Sequence, residues 1–121
     1  MAVRYIVDNV EKAVKFYTSY LGFFIKNDWG PVVILNANNL ELWLSGPLSS
    51  AGKTVVDGYK PTPGGSNKIV VEIKNLEKQI DKLKRNGVRI ISETVKGPAG
   101  RWVVISDPSG NPVELFEKNK A

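Results

Sequence analysis

The chain states nearly the same pattern twice, and this doubling limits its fold more than any other feature. Val7-Asp8-Asn9-Val10-Glu11-Lys12 returns as Ile73-Lys74-Asn75-Leu76-Glu77-Lys78, an offset of 66 (73 − 7). Leu40-Glu41-Leu42-Trp43 returns as Val113-Glu114-Leu115-Phe116, an offset of 73 (113 − 40). Each copy runs from a strand, through a helix, to a strand carrying a glutamate. Such doubling predicts two similar halves around a shared groove.

The first copy begins with β-formers from Ala2 to Val7. Asn9 then suits a helix N-cap, Val10, Ala13, Val14, Tyr17 and Leu21 recur at helical spacing, and Gly22 supplies the stop. Strands are predicted over 23–27, 32–35 and 40–44, separated by the turns Asp28-Trp29-Gly30-Pro31 and Asn36-Ala37-Asn38-Asn39. The segment 45–66 carries Gly46-Pro47, Asp57-Gly58, Pro61, Pro63 and Gly64-Gly65, and is expected to lack regular structure. A loop of that length has a functional reading and a plain linker reading of equal standing. The second copy repeats the scheme: a strand over 68–73, a helix capped by Asn75 and carrying Leu76, Ile80 and Leu83, then strands over 88–95, 101–106 and 112–117. Eight strands and two helices in the order βαβββ-βαβββ imply an α+β protein with a mainly antiparallel, strongly curved sheet.

The length of 121 residues fits one domain, with module 1 at about 1–45, a connecting loop at 46–66 and module 2 at about 67–121. Cysteine is absent, which excludes disulfides and thiolate chemistry, and so is histidine, the commonest transition-metal ligand and general base. The net charge of +5 raises the question of nucleic acid. Lys78, Lys82, Lys84 and Arg85, however, share their helix with Glu77 and Asp81, which reads as a solvated face. No specific nucleic-acid partner is expected. With no apolar run near 20 residues and no leader pattern, a soluble cytoplasmic protein without membrane association is the default expectation.

Three stretches carry a resemblance to a known family. They are Val7 to Tyr17 with its Phe16-Tyr17 pair, Tyr20-Leu21-Gly22-Phe23, and Asp107-Pro108-Ser109-Gly110-Asn111-Pro112-Val113-Glu114-Leu115-Phe116. Together and in order they resemble the vicinal oxygen chelate superfamily: glyoxalase I, bleomycin-resistance proteins and extradiol dioxygenases. Leu42 to Pro47 and Gly64 to Lys68 look like its bacterial glyoxalase or bleomycin-resistance-like subgroup. The resemblance implies paired βαβββ modules forming a cupped sheet around a cavity, commonly as a homodimer.

Metal-dependent relatives take four ligands from equivalent strands, and by motif these positions fall on Ala2, Glu41, Lys68 and Glu114. Alanine cannot bind a metal, and a charged ammonium repels one. Glu41 and Glu114 alone could hold Mg²⁺, Mn²⁺ or Ca²⁺ only weakly, so no cofactor is expected. The resemblance suggests instead that the Lys68 ammonium takes the place of the ion and bridges Glu41, Glu114 or both. All three facing solvent is the rival reading.

Period-2 alternation puts Trp43 on the face of Glu41, and Phe116 on the face of Glu114. For both aromatics, pocket lining and core packing stand level. Trp29 and Trp102, near turn or strand ends, read as a pocket rim. Arg4 alternates with Ala2 and needs an anion: Glu41, Glu114 or a ligand carboxylate. Arg101 reads as a surface charge more than a ligand contact. The candidate ligand-binding set is therefore Arg4, Glu41, Trp43, Lys68, Trp102, Glu114 and Phe116, with no catalytic residue assigned. The expected function is metal-independent binding of an aromatic or amphipathic small molecule in the cup. The alternative is a divalent-metal-dependent lyase, isomerase or dioxygenase, and a third reading is a dimeric scaffold.

Overall fold

The computed structural model describes residues 1–119; Lys120 and Ala121, the end of the range expected for module 2, lie outside the described residues. The chain divides into two compact units. One comprises Met1–Gly64 and Pro108–Asn111, the other Gly65–Asp107 and the segment from Pro112 onward.

In the first unit, β1 (Ala2–Ile6), α1 (Val10–Tyr20), β2 (Phe24–Asp28), β3 (Val32–Ala37) and β4 (Leu40–Ser45) follow in order. Their sheet order is β1-β4-β3-β2, with β1 parallel to β4 and the other pairs antiparallel. Helix α1 starts where the Asn9 side chain accepts the Lys12 N–H at 3.0 Å. It stops at Gly22, whose φ of 73° turns the chain so that the Phe23 N–H reaches the Tyr17 carbonyl. Ala13, Phe16 and Tyr17 are buried with Leu35, Leu42 and Leu44 of the sheet. Edge-to-face rings tie the helix exit down, with Tyr17 lying 5.0 Å from Phe16 and 5.6 Å from Phe23.

Strands β2 and β3 slip in register between Ile25 and Asn27, which leaves Lys26 as the extra residue of a β-bulge. The connecting segment, expected to be irregular, holds a short helix, α2 (Ser50–Lys53), and an isolated Val56–Tyr59 bridge around Asp57-Gly58. Ser49 caps α2 by accepting the Gly52 N–H at 3.0 Å. Gly52 is buried so closely on the Gly46 carbonyl that a Cβ has no room. Asn111 ties the unit together, donating to the Ile6 carbonyl at 2.9 Å and accepting the Gly64 N–H at 2.7 Å.

The second unit contains β5 (Ile69–Glu72), α3 (Leu76–Arg85), β6 (Arg89–Ile90), β7 (Val95–Lys96), β8 (Gly100–Ser106) and β9 (Pro112–Lys118). The order is β5-β9-β8-β6, with β7 also on β8 and β5 parallel to β9. The single strand expected over 88–95 is thus two short strands. Between them the Ser92 hydroxyl, not a strand carbonyl, receives the Val104 N–H at 2.8 Å. Leu76 and Leu83 of α3 are buried with Val103, Ile105, Val113 and Leu115, while Lys78, Lys82, Lys84 and Arg85 are exposed. Among the described residues no helix is long and apolar enough to cross a membrane.

Candidate functional site

Within its own unit, each sheet packs one face on α1 or α3 and leaves the other face clear of that helix. In β4, Leu42 and Leu44 are fully buried on the helix side, so alternation turns Glu41 and Trp43 to the opposite face, where both are half-buried. Parallel pairing sets Ala2 opposite Glu41 and Arg4 opposite Trp43. Arg4 is exposed, and its guanidinium carbon lies 5.1 Å from the centre of the Trp43 ring, a cation–π contact.

Glu41 is held from two sides. The Trp43 indole N–H donates to one carboxylate oxygen at 3.0 Å, and Lys26 Nζ donates to the other at 2.6 Å. The Lys26 ammonium, followed by the indole donor, keeps the Glu41 pKa below the usual carboxylate range. Lys26 sits at the bulge of the far edge strand and reaches Glu41 from there. Sequence reasoning missed this residue. Alternation puts Lys26 on the face of Phe24, which lies across β3 from Glu41, but the sequence does not say that these strands are neighbours.

The second unit builds a related set. Leu115 and Val113 are buried on the helix side, and Glu114 and Phe116 face the other way, half-buried. Trp102 pairs in register with Phe116 and so shares that face. It is the third residue of β8. Lys68 Nζ is 3.7 Å from a Glu114 oxygen and 5.9 Å from the centre of the Trp102 ring. Arg101 points to the helix side, donating to Glu117 at 2.8 Å and Glu77 at 3.1 Å. Trp29 lies in the β2–β3 turn and is 62% exposed, well clear of any core.

The two copies are out of step by two residues. The hydrogen bonds that close each parallel pair are Val7 N–H to Ser45 O and Ile73 N–H to Phe116 O. They are offset by 66 in the first strand (73 − 7) but by 71 in the second (116 − 45), not by 73. Glu114 therefore stands opposite Val70, whereas Glu41 stands opposite Ala2. A slip of two preserves the face but moves the carboxylate about 6.6 Å along the strand.

A family model for the Glyoxalase/Bleomycin resistance protein/Dioxygenase superfamily matches residues 2–115. The chain belongs to this superfamily. Mitochondrial methylmalonyl-CoA epimerase from Bos taurus is 31% identical over 126 residues, covering 98% of this chain and 72% of that protein. Among solved structures, a superfamily member from Sphaerobacter thermophilus is 26% identical with a TM-score of 0.72, covering 97% of this chain and 94% of that one. TnmS3, an antibiotic-binding protein from Streptomyces sp. CB03234, shares 22% identity with a TM-score of 0.72 over 98% of this chain and 93% of that one.

The residues at the positions mapped from the superfamily's metal-dependent members do not suit a divalent ion. Ala2 offers no donor atom. Glu41 already turns one oxygen to an ammonium and the other to an indole N–H. Lys68 brings a cation to Glu114. Neither unit gathers three or more acidic side chains, among its described residues, into a group that could hold a metal.

Proposed function

We propose that this superfamily member binds a planar aromatic or amphipathic small molecule, without a resident metal, on the helix-free faces of its sheets. One observation carries the reading. Each unit presents a half-buried indole beside a carboxylate that already has a lysine: Trp43 with Glu41 and Lys26, and Trp102 with Glu114 and Lys68. Flat apolar surface with a few fixed polar groups is what such a ligand requires. The fold likeness to an antibiotic-binding protein supports the reading. A panel of aromatic compounds, followed by tryptophan fluorescence and thermal shift, tests it. A binder at a hundred times its Kd stabilises by about 2.7 kcal/mol, enough to raise Tm by several degrees. A panel that yields neither quenching nor a shift contradicts the proposal.

A second reading has its own support. Identity of 31% to an epimerase favours inversion of a carbon stereocentre, which needs a base to remove a proton. Glu41 is poorly suited, because Lys26 and Trp43 stabilise its ionised form and so weaken it as a base. Incubation with methylmalonyl-CoA in D₂O decides between the readings. Deuterium incorporation above the solvent rate, lost in Glu41→Gln or Glu114→Gln, establishes the enzyme; background incorporation favours the binder. The family resemblance also leads us to read the protein as a cytoplasmic homodimer. Light scattering should give twice the chain mass, and a single-chain mass contradicts that part.

A further inference from the structure

On the helix-free face of the first unit, Arg4 is the cation without a carboxylate. Lys26 is committed to Glu41 at 2.6 Å, whereas no acidic group lies within ion-pair distance of Arg4 among the described residues. Glu41, the acid on this face, already directs its two oxygens at Lys26 and Trp43. The side chains of this face, two cations and one carboxylate, carry a surplus positive charge, and the N-terminal ammonium also acts on Glu41. The guanidinium is also held in place, because it rests on an indole that Glu41 in turn pins. A planar fork of N–H donors, fixed over an aromatic ring and open to solvent, suits an oxyanion attached to a flat molecule.

Resting on the binding reading above, we propose that the ligand of this face is an anionic aromatic molecule. Its oxyanion, a carboxylate or a phosphate ester, is received by Arg4, and its ring lies against Trp43. Lys26 is a positioning residue: by holding Glu41 it keeps that carboxylate from neutralising Arg4.

Calorimetric titration of the full chain with naphthoate, naphthyl phosphate and neutral naphthylmethanol tests this. At least one anion should bind about ten-fold or more tighter than the alcohol, and the tighter of the two identifies the oxyanion. Arg4→Gln should abolish the difference between the anions and the alcohol, both measured in that variant, with Arg4→Lys retaining part of the preference. Lys26→Met should weaken the anions alone, and Lys26→Arg should restore them. Equal affinity for all three compounds in the wild type, or an anion preference that survives Arg4→Gln, overturns the inference while leaving the binding reading intact. The wild-type comparison stands whether or not any variant folds. Failure of all three compounds and of the wider panel overturns both.

Discussion

At Glu41 an ammonium and an indole N–H converge on one carboxylate and lower its pKa. The sign of the linkage follows. A carboxylate whose folded pKa is depressed contributes stability above its unfolded value near about 4.3, and that contribution is lost as the pH falls through the folded value. In Lys26→Met the Glu41 titration, followed by carbon-detected NMR, should move up toward the ordinary range; an unchanged titration contradicts the Lys26 contact. Ser45 is the opposite case. Its hydroxyl is fully buried at the end of β4 and has no hydrogen-bond partner among the described residues. An orphan of this kind costs about 1–3 kcal/mol, so Ser45→Ala should leave Tm unchanged or raise it. A clear fall in Tm would mean that the hydroxyl has a partner. At this scale, alternation was enough to put Trp43 with Glu41 and Phe116 with Glu114. It could not single out Lys26, because alternation does not say which strands lie beside one another in the sheet.

Among the elements, α3 shows how a start is built from several directions. Asn75 occupies the left-handed region at φ 57° and accepts the Lys78 N–H at 3.2 Å. The Leu76 N–H donates to Glu117 on β9 at 2.8 Å, and Arg101 holds the same carboxylate at 2.8 Å. Arg101 first, then the helix N–H, keep the Glu117 pKa below its usual range, and Arg101 is correspondingly raised. Asn75→Gly keeps the backbone conformation and should cost only a few tenths of a kcal/mol, whereas Asn75→Ala loses both cap and conformation, about 2 kcal/mol in urea denaturation. Equal losses contradict the role given to φ. Gly52→Ala should destabilise the connecting segment by about 1–3 kcal/mol or more, because the Gly46 backbone it meets cannot rotate away as a side chain can. Both capped helices, α1 and α3, were legible from Asn9, Asn75 and apolar spacing. Helix α2 was not, since Ser50-Ala51-Gly52-Lys53 is too short to show a period. The break between β6 and β7 was hidden because it depends on a side chain, Ser92, standing in for backbone.

For the molecule as a whole, the internal repeat conveyed the order of the main elements. It did not show that β1 pairs with β4 and β5 with β9, or in which register, because sequence offset counts residues while hydrogen bonds set which of them meet. That two-residue slip bears on function. It takes Glu114 out of equivalence with Glu41, and each carboxylate is met by its own lysine, Lys26 or Lys68. The most direct test is the metal content of protein purified without chelator, together with its Tm on addition of Mn²⁺, Ni²⁺ or Zn²⁺. The account predicts well under one equivalent of any divalent metal per chain and no shift in Tm. One firmly held equivalent, lost in Glu41→Gln or Glu114→Gln, would contradict it.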